Sequence, residues 1–288
     1  MNRDIAPELL EKVICIKCLN SSLLQKENGL ICSLCGQDIP LYNGIPDFLS
    51  VTNIVDGDLS WEKQNAVDYE TTISQFELSR LSRIDKPIFQ HAQGDVLEIG
   101  CGTCRLAAPV ERQGARYFGL DPVISFLLYA NSRYRLQRLV RGQGESLPFR
   151  DSAFDCVISG FYAYRYVNPQ LGLPEARRVL KKGGKFVFDL LNNWRLKLND
   201  VKRLIKTGSL NGLRSFSLQP SLDTFEFINL SHLKQQTKRA GFLVEDVMST
   251  PVTVPVFHFL DKYLRDYYYH GKVAIYLGWD VIIILKAI

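Results

Sequence analysis

A chain of 288 residues, 46% hydrophobic and 23% charged, can bury one large core and still carry a small accessory module. It contains no run approaching the roughly 18 consecutive apolar residues of a membrane span. Its start, Met1-Asn2-Arg3-Asp4, lacks the apolar core of a secretory signal, so a soluble cytoplasmic protein is expected. The net charge of +5 is uneven: residues 1–60 carry four Lys/Arg against eight Asp/Glu, leaving 31 against 22 in the remainder. The larger part mildly favours anionic partners, without the charge density of a dedicated nucleic-acid binder.

Cysteine spacing organises the first segment. Cys15-x-x-Cys18 and Cys32-x-x-Cys35 are two knuckles separated by thirteen residues, with Gly36 supplying a tight turn after the second. Four thiolates so placed can hold one tetrahedral ion at about 2.3 Å each, and zinc is its natural occupant. Disulfide pairing is the alternative, disfavoured in a reducing compartment. Cys15–Cys18, the Asn28-Gly29 hairpin, Cys32–Cys35, Ile39-Pro40-Leu41 and Asn43–Leu49 together resemble the short zinc-ribbon proteins that accompany bacterial methyltransferases. Those are relatives of the small eukaryotic subunit that activates tRNA, rRNA and release-factor methyltransferases. The resemblance implies a zinc-ribbon module at 1–55, fused in cis, with Cys15, Cys18, Cys32 and Cys35 as ligands of a structural Zn2+. A unit of about fifty residues cannot stabilise itself by core burial, and metal binding supplies its folding free energy. Beyond scaffolding, it is a candidate surface for recognising substrate or a protein partner.

Residues 56–92 begin with a polar stretch and then read as helix. Ser60 is a candidate N-cap, and Trp61, Val67, Ile73, Phe76, Leu78, Leu81 and Ile84 recur at roughly helical spacing. From residue 93 the pattern alternates between strand and helix: Asp95–Ile99, Arg105–Glu111, Tyr117–Leu120, Ser125–Asn131, Arg138–Val140, Phe154–Ser159, Leu173–Leu180 and Lys185–Leu191. Such alternation predicts a doubly wound parallel sheet that binds ligands at its strand C-terminal edge. Leu230–Ala240 reads as a helix stopped by Gly241. Phe242–Met248 and Asp280–Lys286 read as strands lying side by side.

The chemistry is concentrated in Val96-Leu97-Glu98-Ile99-Gly100-Cys101-Gly102-Thr103-Cys104-Arg105, with Asp121 at the end of the next strand. Gly100 and Gly102 let backbone approach a ligand, and Asp121 sits where a carboxylate can accept both ribose hydroxyls. Glu98, just before the turn, would repel a pyrophosphate but suits a cationic amino-acid group. Downstream come Gln143-Gly144-Glu145-Ser146-Leu147-Pro148-Phe149, then Asp151–Ser159, then Arg178-Val179-Leu180-Lys181-Lys182-Gly183-Gly184-Lys185. In this order the motifs resemble the class I S-adenosylmethionine (SAM) methyltransferases, in their type 11, quinone-biosynthesis-like form, with Cys104 in place of the third glycine.

The resemblance implies an α/β fold, a Rossmann-like seven-stranded sheet over 93–288, with residues 56–92 as a helical linker and cap over the cofactor. It implies SAM as methyl-donating substrate. Glu98, Gly100, Cys101 and Gly102 would border its amino-acid end and Asp121 its ribose, with Pro122 a further cofactor-binding residue. Gln143, Gly144 and Glu145 would border the adenine, and Ser159 the reactive methyl. Tyr69 is a further candidate contact. Cys101 and Cys104 form a third C-x-x-C, but without a partner pair they are expected to line the turn, and Cys156 to pack.

Insertions are expected at about 192–228, carrying a basic amphipathic helix, and at 251–278, where aromatic residues suggest a lid or substrate wall. The stretch Ser159–Tyr166 lacks the (N/D)-P-P-Y motif of planar-amine methyltransferases. His258, His270 and Tyr164 are candidate bases. Three functions remain open: methyl transfer to a small-molecule or lipid-like acceptor, methyl transfer to rRNA or tRNA, and a non-catalytic SAM-binding or regulatory role.

Overall fold

The computed structural model describes residues 4–19, 22–51, 65–75, 78–191, 230–251, 268–271 and 278–288. Ser60, Trp61, Phe76, the insertion at 192–228 and most of that at 251–278, including His258, lie outside them.

A short helix α1 (Pro7–Leu10) leads into four antiparallel strands, β1 (Leu23–Lys26), β2 (Gly29–Cys32), β3 (Asp38–Tyr42) and β4 (Ile45–Pro46), paired in that order. Helices α2 (Ala66–Gln75) and α3 (Leu78–Phe89) follow. The parallel strands are β5 (Asp95–Ile99), β6 (Arg116–Asp121), β7 (Leu139–Arg141), β8 (Phe154–Ser159) and β9 (Leu180–Leu191). Helices α4 (Ala107–Glu111), α5 (Ile124–Tyr134) and α6 (Pro169–Val179) alternate with them. Helix α7 (Leu230–Arg239) then precedes β10 (Phe242–Pro251), β11 (Tyr269–His270) and β12 (Gly278–Ala287). The sheet order is β11-β10-β12-β9-β8-β5-β6-β7.

The fold is thus the mixed α/β, Rossmann-like sheet. Strand β12 inserts antiparallel between β9 and β10, so the two late strands pair as their spacing suggests. The two-residue β11 adds an eighth strand at the outer edge. The apolar runs Val96-Leu97 and Val157-Ile158 are fully buried, as strands covered on both faces must be. Pro169 opens α6 and the Asn168 side chain caps it by accepting from the Gln170 N–H at 3.0 Å. Gly241 ends α7 with φ +85.

The small four-stranded module shares its core with the large sheet. Leu9, Val13, Leu30, Ile39 and Phe48 are each 0% exposed and belong to one apolar cluster with Leu97, Phe118, Val140, Phe149 and Phe154. Polar contacts fasten the two at separate points. Lys12 donates to the Ala153 carbonyl at 2.7 Å and pairs with Asp95 at 2.7 Å. Desolvation would raise the Asp95 carboxyl, but Lys12 and Arg116 outweigh it and hold the group below the usual carboxylate range. At the sheet edge Asp47 pairs with Arg141 of β7 at 2.9 Å, and the Phe48 N–H donates to the Arg141 carbonyl at 2.9 Å. A parallel bridge between Asp47 and Arg141 covers the otherwise open edge of β7.

Asp47 is 0% exposed, so Arg141→Ala strands a buried carboxylate. The expected loss is about 3–5 kcal/mol of unfolding free energy, read by denaturant titration. The double substitution Asp47→Asn, Arg141→Ala should recover part of it, because the charge goes with its partner.

Candidate active site and cysteine cluster

Strands β5, β6, β8 and β9 run parallel, so their C-terminal ends lie on one edge of the sheet. Gly100 leaves β5 with φ +71, its N–H donating to the Leu120 carbonyl at 2.8 Å. A Cβ there would lie 2.6 Å from the Ala163 Cβ, so both backbone angle and space require glycine. Two residues on, the Gly102 N–H donates to Asp121 Oδ2 at 2.7 Å, and the Val123 N–H to Oδ1 at 2.8 Å. The turn after β5 and the carboxylate after β6 therefore hold each other in place. Tyr69 of α2 covers this turn, its hydroxyl 3.5 Å from where a Gly102 Cβ would stand and its ring stacked on Phe126 at 4.7 Å. The neighbouring Glu70 accepts from the Thr103 hydroxyl.

Glu98 is 3% exposed and accepts from the Tyr117 hydroxyl. Burial, reinforced by Asp121 and Asp189, pushes its carboxyl up to about 8 despite that bond. Burial also raises Asp121 to about 6, opposed by the N–H groups of Val123 and Gly102.

Around them the other candidates take varied positions. The Cys101 N–H donates to the Leu120 carbonyl at 3.1 Å, with its thiol packed against Gly119. The Pro122 carbonyl accepts from Arg141 Nε at 2.9 Å, which ties this loop to the edge that the cysteine module covers. Gln143 Nε2 is buried and makes no hydrogen bond among the described residues. Gly144 packs against Val167 and Ile99, while Glu145 Oε1 accepts from the Asn168 N–H at 2.7 Å. Ser159 turns its hydroxyl to the Ile99 carbonyl at 2.7 Å, tying β8 to β5.

Cys104, at the position of the third motif glycine, has φ +63. The turn retains the left-handed backbone a glycine would favour, at a strain of order 1 kcal/mol for a side chain there. Of the candidate bases, Tyr164 is 0% exposed and packed against Phe186 and Phe188, where burial drives its phenol far above the usual range. It is a core residue. His270 lies at the outer sheet edge, 2.7 Å from Asp246.

Sequence reasoning passed over Asp189, Asp280, Tyr162, Arg105 and Asp85, which the fold gathers beside this turn. Asp189, near the end of β9, is 0% exposed and receives the Tyr162 N–H at 3.1 and 3.2 Å. The Tyr162 hydroxyl donates to Asp280, 1% exposed, at the start of β12. Arg105 pairs with Asp85 of α3 and stands 5.5 Å from the Phe161 ring centroid. The available signal was a lone carboxylate at the C-terminal end of an apolar strand, in Phe186-Val187-Phe188-Asp189.

The four sulfurs of Cys15, Cys18, Cys32 and Cys35 all lie within 4.8 Å of one another, with Cys15 to Cys35 at 3.6 Å and Cys18 to Cys32 at 3.5 Å. Tetrahedral Zn–S bonds of about 2.3 Å set sulfur pairs about 3.8 Å apart, so the cluster fits a zinc ion. Among the described residues it is the one such group, and no helix is long and apolar enough to cross a membrane.

Comparison with known proteins agrees with this geometry. Residues 97–188 match the family model described as a methyltransferase domain. A relative of unassigned function from Methanocaldococcus jannaschii is 31% identical over 127 residues, 44% of this chain and 59% of its own. The phthiotriol/phenolphthiotriol dimycocerosates methyltransferase of Mycobacterium tuberculosis is 37% identical over 97 residues, 32% of this chain and 36% of its own. The chain thus spans between 36% and 59% of the length of these two curated relatives. Among solved structures, a SAM-dependent methyltransferase from Thermotoga maritima superposes with a TM-score of 0.53 at 21% identity, covering 79% of this chain and 97% of that one. A chain of the complex between the Haloferax volcanii Trm112 methyltransferase activator and a methyltransferase gives 0.54 at 19%, covering 81% and 99%. These likenesses establish the fold. Residues 97–188 thus match a methyltransferase domain on a mixed α/β, Rossmann-like fold, accompanied by a small four-cysteine module.

Cys104→Gly should change stability by less than about 1 kcal/mol, because relief of the left-handed strain offsets the lost thiol packing. Thermal melting of the two proteins side by side checks this. Elemental analysis should find one zinc per chain, and chelation should lower the melting temperature with release of that ion.

Proposed function

We propose that the protein transfers the methyl group of SAM to a small-molecule, lipid-like acceptor. The observation that carries the methyl-transfer reading is the mutual hold of Gly102 and Asp121 beside the buried Glu98. That arrangement offers two cradling glycines, a ribose-binding carboxylate and an anion for the donor's ammonium group on one sheet edge. In this reading Glu98, Gly100, Cys101 and Gly102 take the amino-acid end, Asp121 and Pro122 the ribose, and Gln143, Gly144 and Glu145 the adenine, with the Ser159 backbone beside the methyl. The unpartnered Gln143 Nε2 leaves a donor for a purine nitrogen. The lipid-like acceptor is favoured by the name of the mycobacterial relative.

Methyl transfer from a sulfonium disperses positive charge as the transition state forms. The protein has mainly to hold acceptor, methyl and sulfur in line and exclude water, an effect worth up to about 7–11 kcal/mol in favourable model systems. Helix α2, with Tyr69 over the turn, supports a role in closing the site.

We divide the chain into a zinc-ribbon module at 1–55, a cap at 56–92 and the transferase domain at 93–288. The ribbon would act in cis, its zinc bound by Cys15, Cys18, Cys32 and Cys35. Through Asp47, Arg141 and the Pro122 carbonyl it supports the loops that face ribose and adenine.

Labelled-methyl transfer from SAM into separated lipid, small-metabolite and RNA fractions tests the function. Label is expected in the lipid fraction, and exclusive labelling of RNA would replace this reading with the RNA one. Asp121→Ala should weaken SAM binding at least tenfold in calorimetry with the fold intact. SAM affinity should also fall as pH drops below about 8, because Glu98, raised by burial, must give up its proton to face an ammonium group. Calorimetry between pH 6 and 9 reads this slope, and Glu98→Gln should flatten it.

A further inference from the structure

With SAM held by the glycine turn and Asp121, the part of the same sheet edge formed by β9, β12 and the turn after β8 is left for the acceptor. Among the described residues its polar groups are mostly carboxylates. Asp189 and Asp280 come from neighbouring antiparallel strands, with Asp280 opposite Leu191 and Asp189 opposite Ile282, so alternation puts both side chains on one face of the sheet. Tyr162 joins them, giving its N–H to Asp189 and its hydroxyl to Asp280.

Asp189 and the neighbouring Asp85 keep acceptor capacity in hand. The fully buried Asp189 carboxylate takes the Tyr162 N–H, at 3.1 and 3.2 Å from its two oxygens, and its own backbone N–H, whereas an ionised carboxylate can accept about four bonds. Nearby, Asp85 is 8% exposed, and its Oδ1 is buried without a hydrogen-bond partner, although Oδ2 holds Arg105. Buried acceptor atoms without donors are rare in folded proteins, and this one adds to the acceptor-rich character of the site. The charge balance agrees. Glu98, Asp280, Arg105 and the Tyr162 N–H face Asp189 from β5, β12, the segment after α3 and β5, and the turn after β8, and Arg105 is already paired with Asp85. A phosphate-bearing acceptor would enter against this excess of negative charge.

We infer that Asp189 is the catalytic base of the methyl transfer, taking the proton of an acceptor X–H, with X oxygen or nitrogen and no negative charge, and that Asp280 and Tyr162 position it. This rests on the methyl-transfer reading above and deepens it by naming the chemistry of the acceptor. The X–H proton passes to the Asp189 carboxylate while an X lone pair forms the bond to the methyl carbon. The methyl–sulfur bond breaks with its electron pair remaining on sulfur. The cationic sulfonium and anionic carboxylate thus become a neutral thioether, a methylated acceptor and a neutral carboxylic acid, which returns its proton to water. Burial and the neighbouring Asp280 raise Asp189 to about 7, which suits a base working near neutral pH.

The test uses the full-length protein, with long-chain secondary alcohol, hydroquinone and primary alkylamine as X–H probes and total RNA as the anionic one. At saturating SAM, wild-type transfer to at least one X–H probe is expected, with kcat/KM for that probe rising with pH to a plateau above about 7. Asp189→Asn should lower kcat at least 100-fold, with SAM affinity by calorimetry within threefold and the melting temperature not reduced. Asp280→Asn should shift the inflection to lower pH, because a like charge that disfavours ionisation is gone. An Asp189→Asn protein with wild-type kcat and pH profile overturns the inference, as does transfer confined to RNA. Failure of the wild type to bind SAM, or to transfer to any fraction, overturns the parent reading instead.

Discussion

Burial of carboxylates at one edge of a sheet is costly, and the transferase domain is organised around that cost. Glu98, Asp121, Asp189 and Asp280 are each at most 6% exposed, and together they stand at the C-terminal ends of β5, β6 and β9 and the start of β12. Their partners include the Tyr117 hydroxyl, the N–H groups of Gly102 and Val123, and both donors of Tyr162. An apolar interior does not tolerate so much negative charge without either protonation or a cation. The raised carboxyls of Glu98, Asp121 and Asp189 show the first response. A sulfonium donor bearing an ammonium group would supply the second.

The opposite edge of the sheet meets a different constraint. Strand β7 is three residues long and would expose its backbone to any passing strand. The cysteine module covers it with the Asp47 bridge and shares its apolar cluster, through Leu9, Val13 and Phe48. The module gains a core it is too small to build. In return, Arg141 holds both Asp47 and the Pro122 carbonyl, so the packing of the module at one end reaches a loop beside Asp121.

Much of this was legible in residue order, for local reasons. The parallel strands were readable because apolar runs such as Asp95–Ile99 and Phe154–Ser159 are bounded by turns, and both match the observed strands. The motif turn was readable because a backbone at φ +71 pressed against Ala163 admits little except glycine. The cysteine cluster was readable because metal geometry restricts spacing. Side-chain direction was less accessible. Ser159 and Tyr164 were candidates by position alone, yet the Ser159 hydroxyl ties two strands together and the Tyr164 phenol is buried in the core.

The sequence by itself determined the class of fold, the glycine turn after β5 and the four thiols, because each is encoded by neighbours a few residues apart. Only the tertiary structure decided which carboxylates meet beside that turn. Asp189 and Asp280 are far apart in the chain, on strands separated by the whole C-terminal segment, and each alone reads as an ordinary strand-end carboxylate. They become a pair because β12 inserts antiparallel beside β9, a register set by long-range pairing that no local pattern records.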